Sequence, residues 1–226
     1  MYCGDTTLVK WGPADRTATA LRCRSWLCPE CQPTRQRQLV KDVLRGTPNT
    51  FLTLTIRRVA EEGAADAAAR LIDAWRRTRR AWMALHKVKR LPFFAIVEAT
   101  KNGWPHLHIM LRSVWIDQRW LSEQMQERIN SPVVDIRRID NVGRAAAYVS
   151  KYASKAAHKF GTCKRYWRSL DYIVAREDDP EPERKNRTGY EREPRSIKHI
   201  VAQWQTLGWR VTWLSKWRAR CDVPES

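Results

Sequence analysis

Alternation of apolar and polar residues marks FLTLTIRR, from Phe51 to Arg58, as a strand with one buried face. FFAIVEAT and PHLHIML read as two further strands, joined in a hairpin around Asn102-Gly103, and VVDIRRI at 133–139 as another. Apolar spacing of about 3.6 residues predicts helices over 35–45, 61–87, 117–129 and 141–158, with Gly46-Thr47-Pro48-Asn49 as the break after the first. Strands and helices in this order predict an α+β fold, a central antiparallel β-sheet flanked by helices. Beyond residue 160 the pattern thins. KRYWRSLDYIVA at 164–175 predicts a short strand or helix packed back on the sheet, and 196–219 a terminal helix or hairpin. Between them, 176–195 is almost all charge, Pro and Gly, which predicts a mobile loop. The expected partition is a Cys-rich module with its connecting helix over 1–48, a main domain over 49–160, and a Trp-rich basic extension over 161–226.

Charge narrows the partners. Lys and Arg number 42 against 24 Asp and Glu, a formal net charge of +18, which suits a polyanion better than a neutral metabolite. Twelve tryptophans add flat surfaces on which unpaired bases could stack, although core packing is the commoner use of any one of them. No run approaches the roughly 18 apolar residues of a spanning helix, so a membrane partner is not expected. MYCGDTT at the start has no signal-peptide pattern, and the expected location is the cytoplasm, that of a bacterial host.

The candidate chemistry begins with His106-Leu107-His108. Two histidines two residues apart on a strand project from the same face, as ligands of one divalent metal would, while Leu107, Ile109 and Leu111 point the other way into a core. Forty residues on, NVGRAAAYVSKYASKAAHK carries a doubled Tyr-x-x-Lys unit. On a helix, Tyr148, Lys151, Tyr152 and Lys155 fall within one stripe about 100° wide. Tyrosine is a weak nucleophile at its free pKa, so covalent work by these phenols needs a metal-polarised electrophile or nearby positive charge.

These segments in this order resemble the HUH superfamily of single-strand endonucleases: FLTLT the first motif, PHLHIML the metal motif, YVSKYASK the catalytic helix. The doubled tyrosine is similar to the two-tyrosine subgroup of rolling-circle replication initiators (Rep) found in small single-stranded DNA phages. The resemblance covers residues 50–160 and implies an RRM-like core in the main domain. It also implies Glu98, eight residues before His106, as the acidic metal ligand, with Mn2+ or Mg2+ bound by His106, His108 and Glu98. Tyr148 and Tyr152 are then the nucleophiles, with Lys151 and Lys155 on the phosphate or favouring the phenolate. A carboxylate and two imidazoles suit those ions with positions left open for water and phosphate oxygen.

Glu98 carries a geometric condition. A two-residue Asn102-Gly103 turn would place it opposite Leu107 and away from the histidines. A three-residue loop such as Asn102-Gly103-Trp104, with Gly at positive φ, or a bulge, would place it opposite His108 on the metal face. An odd loop or bulge is therefore expected, with Asp135 or water as the substitute ligand if it is absent.

Cysteine usage predicts a second site. Cys28-Pro-Glu-Cys31 is a Cys-x-x-Cys knuckle, with Cys23 and Cys3 upstream, and four thiolates can close a tetrahedral structural zinc shell. The turn signal Lys10-Trp11-Gly12-Pro13 offers a hairpin that returns Cys3 to the knuckle. A redox Cys-x-x-Cys is the rival reading, though no thioredoxin-like βαβ pattern surrounds it. Cys163 and Cys221 sit in no motif.

The expected function is metal-dependent, site-specific nicking and rejoining of single-stranded DNA through a 5′-phosphotyrosine, initiating rolling-circle replication of a phage or plasmid. The DNA site would be an origin or hairpin. No GxxxxGK[ST] is present, so a separate host helicase, and a polymerase, are expected partners. The alternatives are a transposase of the same chemistry and a non-enzymatic zinc-dependent DNA-binding protein.

Overall fold

The structure, a computed structural model, describes residues 3–12, 14–113, 115–141, 143, 158–175 and 189–222. It is α+β, with two antiparallel five-stranded sheets and four helices among the described residues. The chain forms two compact units, one of Gln36–Asp179 and one of Met1–Arg35 with Pro180–Ser226. The expected partition at 48/49 and 160/161 is a different cut of the chain.

In the first unit, β3 (Thr50–Thr55), β4 (Phe93–Ala99), β5 (Pro105–Leu111), β6 (Val134–Arg138) and β7 (Tyr166–Arg168) form a sheet of order β6-β3-β5-β4-β7. Period-two alternation sends Leu52, Leu54, Ala95, Val97, Leu107, Ile109, Leu111 and Ile136 to one face, where they are buried under two helices. α2 (Ala64–Leu85) contributes Ala67, Ala68, Leu71, Ile72, Trp75 and Trp82, and α3 (Gln118–Ile129) contributes Leu121, Met125 and Ile129 at four-residue spacing. Asp117 caps α3 by accepting from the Trp120 amide at 2.8 Å, and Asn130 ends it in the left-handed region at φ 50. Truncating a fully buried residue here such as Trp75 to Ala would cost about 3–5 kcal/mol.

The other face of this sheet is partly sealed around Tyr172. Its ring lies 5.6 Å from that of Phe94, and its hydroxyl donates to the Val43 carbonyl of α1 (Gln32–Arg45) at 3.0 Å. Gly46 is required at this point, since a Cβ there would meet the Tyr172 ring at 2.1 Å. Arg112 fastens the same corner by donating to the Gly46, Asp171 and Tyr172 carbonyls.

The second unit is not legible in the sequence as a sheet. β1 (Thr7–Trp11) and β2 (Asp15–Ala20) form the expected hairpin, and β10 (Arg218–Asp222) pairs with β2 rather than closing a separate terminal element. With β8 (Tyr190–Glu193) and β9 (Arg210–Ser215), the order is β8-β1-β2-β10-β9. The expected loop at 176–195 thus contains an edge strand over Tyr190–Glu193. Its charged residues are tolerated because an edge strand keeps much of itself in water. The segment expected to give a terminal helix or hairpin gives both: α4 (Ile197–Thr206) lies on the sheet through Ile197, Ile200, Val201 and Trp204. It meets Val9, Ala18, Ala20, Ala219 and Cys221, mostly small side chains that allow a helix to approach closely.

The elements expected at 35–45, 51–58, 61–87, 117–129 and 133–139 are present with ends trimmed by a few residues, and 164–175 supplies β7. The helix expected over 141–158 lies mostly outside the described residues.

Candidate functional site

The turn between β4 and β5 decides which residues share the histidine face. The Thr100 amide donates to the Trp104 carbonyl at 2.8 Å and the Gly103 amide to the Thr100 carbonyl at 3.0 Å. The loop proper is therefore Lys101-Asn102-Gly103, an odd loop, with Gly103 at φ 75. It closes one residue earlier than Asn102-Gly103-Trp104, so Glu98 stands in register opposite His106 rather than His108. Either register puts Glu98 on the face that carries both imidazoles.

On that face the contact is diagonal. Glu98 Oε2 lies 3.0 Å from His108 Nε2, and the two side chains are only 11% and 6% exposed. The opposite nitrogen, Nδ1, is 3.1 Å from Thr53 Oγ1, because antiparallel pairing sets Thr53 directly across from His108. Phe51 stacks on the His108 ring, with centroids 5.7 Å apart and 19° between planes. The ring is thus fixed at both nitrogens and on one side. His106 is half-buried, its ring centroid 6.2 Å from that of His108. Asp135 lies opposite Thr53 and is held by Arg137 at 2.9 Å.

Two ligands at right angles on an ion, each about 2.1 Å from it, stand about 3 Å apart. The Glu98 to His108 spacing therefore suits two donors of one divalent cation, and Thr53 would hold the imidazole from behind, as outer partners of metal-bound histidines do. Sequence reading missed Thr53 and Phe51 as parts of the site. Both lie on the polar phase of FLTLT, but only the β3 to β5 register tells which of them meets His108. Tyr148, Lys151, Tyr152 and Lys155 lie outside the described residues.

The four cysteines meet in the other unit. Cys3, Cys23, Cys28 and Cys31 bring their sulfurs within 4.8 Å of one another, the only such group of three or more metal-ligating donors among the described residues. The β1-β2 hairpin does this as expected: beyond its strands, the Leu21 amide donates to the Thr6 carbonyl and the Gly4 amide to that of Leu21, which carries Cys3 to Cys23. The Cys31 and Gln32 amides both donate to the Cys28 carbonyl, folding the knuckle into the start of α1. Cys23 and Cys31 sulfurs are 3.8 Å apart, the spacing of two thiolates on a tetrahedral zinc with Zn–S bonds of about 2.3 Å. The set could hold one zinc ion.

Electrostatics separates these thiols. Burial and hydrogen bonds from its sister thiols push Cys3 up to about 12, against a backbone bond from Cys23. At Cys31 burial opposes the thiolate, but hydrogen bonds from Cys3, the Arg24 backbone, the Arg22 side chain and Cys23 outweigh it and bring the thiol down to about 7. The β9-β10 turn braces the knuckle. Lys216 Nζ lies 2.6 Å from the Glu30 carboxylate, while the Trp217 ring packs over Gly4 and beneath the Arg22 guanidinium.

Residues 49–157 match the model of a family of replication-associated proteins, the ORF2 type. That span holds Glu98, His106 and His108 as well as the Tyr-x-x-Lys repeat, and it supports a replication initiator with DNA as its partner. No curated protein and no solved structure matches the chain. No described helix is long and apolar enough to cross a membrane.

Proposed function

We propose that the chain nicks and rejoins single-stranded DNA at a specific site to initiate rolling-circle replication. The observation that carries the reading is the placement of Glu98 and both histidines on one sheet face, within the span matched by a replication-associated family. Mn2+ or Mg2+ bound there would supply positive charge to the oxygens of the scissile phosphate. His108 is already oriented for that role by Thr53 and Phe51, and His106 joins by turning its ring toward Glu98.

The oxygen of Tyr148 or Tyr152 attacks phosphorus in line with the departing 3′ oxygen. A bond from phosphorus to the tyrosine oxygen forms as the bond to the 3′ oxygen breaks, leaving a 5′-phosphotyrosine and, after protonation, a free 3′-OH for a polymerase. Lys151 and Lys155 hold the phosphate or favour the phenolate. The two phenols, one helical turn apart by sequence, can alternate as attacking groups, one remaining linked while the other cleaves.

Incubation with a pool of labelled single-stranded oligonucleotides and Mn2+ tests this reading. Covalent adducts on Tyr148 or Tyr152, absent from the Tyr148→Phe/Tyr152→Phe double variant, are the expected result. DNA bound tightly with no adduct under any divalent ion would leave a DNA-binding protein without this chemistry.

A further inference from the structure

The second five-stranded sheet sorts its charges by face. On the α4 side lie the apolar residues of its core and the two carboxylates of β8, Glu191 and Glu193, which register with Val9 and Thr7. The other face carries two rows that cross all five strands. Tyr190, Lys10, Thr17, Arg220 and Thr212 form one, and Arg192, Leu8, Thr19, Arg218 and Ser215 the next. Nine of these ten side chains are hydrogen-bond donors, four of them cationic, and neither row contains a carboxylate. Asp15 and Asp222 follow in a third position, where both lie against Arg220 at 3.5 and 3.4 Å. Lys10, Arg192, Arg218, Arg220 and Thr212 are exposed.

We infer that this face is a second DNA-binding surface, one that takes the phosphate backbone. With strands about 4.8 Å apart and rows about 6.8 Å apart, it offers donors over a width of about 19 Å. A sheet face kept in water only for solubility mixes both signs of charge, and here the acids have been placed on the other face or against Arg220. Hydroxyls between guanidinium and ammonium groups are the donors that phosphate oxygens accept from, and they fix position without reading bases. The surface lies in the unit that also carries the cysteine cluster, outside the residues 49–157 matched by the replication family. It therefore gives DNA a hold that does not depend on the nicking chemistry.

Binding of the full chain to a mixed-sequence 30-nucleotide strand and to its duplex, over a salt series without Mn2+ or Mg2+, tests this directly. Lys10→Gln/Arg192→Gln/Arg218→Gln should lower the slope of log affinity against log salt by about 0.7 for each phosphate no longer neutralised on the strand, or about 0.9 on the duplex. With all three cations removed, affinity near 0.15 M salt should fall on the order of 50-fold. Whichever of the two probes shows the loss identifies the form of DNA that the face holds. A second variant, Thr19→Glu, should weaken the same probe through a single negative charge in the middle of the rows. Arg76→Gln/Arg80→Gln/Lys87→Gln, on the exposed end of α2 and the residues after it, removes the same charge elsewhere. Equal losses in the two triple variants, or an unchanged slope in the first with both probes, would overturn the inference. Because no cleavage is measured, a failure of the nicking reading leaves the result intact.

Discussion

Glu98 pairs in the ladder with His106 but makes its contact with His108, across the diagonal, at 3.0 Å. A carboxylate nearly buried against an imidazole needs a compensating charge, either a proton shared with the ring or a cation beside both. Glu98→Gln keeps the shape and removes the charge. Nicking should fall by on the order of 100-fold or more, the several kcal/mol that a divalent ion contributes to a phosphoryl transition state. His106→Ala and His108→Ala should behave alike, while all three retain most of their affinity for single strands, which comes from Lys and Arg on phosphate. Cleavage assays beside binding titrations would check it, and wild-type cleavage by Glu98→Gln would remove Glu98 from the site.

Thr53→Val removes the Oγ1 partner of His108 Nδ1 and little else. Loss of such an outer partner typically costs about 10–100-fold in metal affinity, so the Mn2+ concentration for half-maximal nicking should rise by that factor. Maximal rate at saturating Mn2+ should change far less, and Thr53→Ser should restore the response. A Mn2+ titration of the nicking rate would read both effects.

Protein purified without added metal should contain about one equivalent of zinc. Cys31→Ser should lose it and lower the melting temperature of the second unit, because Cys31 is the buried ligand at the start of α1. Elemental analysis with a thermal melt measures both, and zinc-free wild type would refute the assignment.

Tyr172 should make the first unit sensitive to alkali. Burial raises its phenol above the ordinary 10.0, with Arg112 opposing. The folded state therefore holds its proton where the unfolded chain gives it up. The contribution is whole below about pH 10 and is lost as pH climbs past it. Tyr172→Phe should remove this extra alkaline loss while costing about 1 kcal/mol at neutral pH for the hydrogen bond to Val43. Gly46→Ala should be worse, at about 1–3 kcal/mol, since the added methyl drives into the same ring. Thermal melts between about pH 7 and 11 would compare the three proteins.

The first sheet is legible in the sequence because its strands alternate cleanly and its neighbours in space are mostly neighbours along the chain. FFAIVEAT and PHLHIML are joined by one short loop, and even the odd loop length follows from the need to bring Glu98 to the histidine face. Which histidine it touches does not, since that depends on where in TKNGW the turn closes. Thr53 is hidden for a related reason: its role comes from the register of β3 against β5, and those strands are separated by all of α2. The cysteine spacing and hairpin signal announce the thiol cluster. The sheet around it stays hidden because its strands come from both ends of the sequence given, and no local pattern can pair Ala18 with Ala219.

That pairing bears on the order in which the protein can be made. Ribosomes add roughly 5–20 residues per second, so β1 and β2 emerge about 10–40 s before β9 and β10 exist to flank them. Throughout that interval Val9, Ala18 and Ala20 have no helix over them, whereas Cys3, Cys23, Cys28 and Cys31 are all already present. A zinc ion taken up early would hold the nascent hairpin closed, shielding an unpaired strand edge from other chains, until residues 197–222 arrive to complete the sheet.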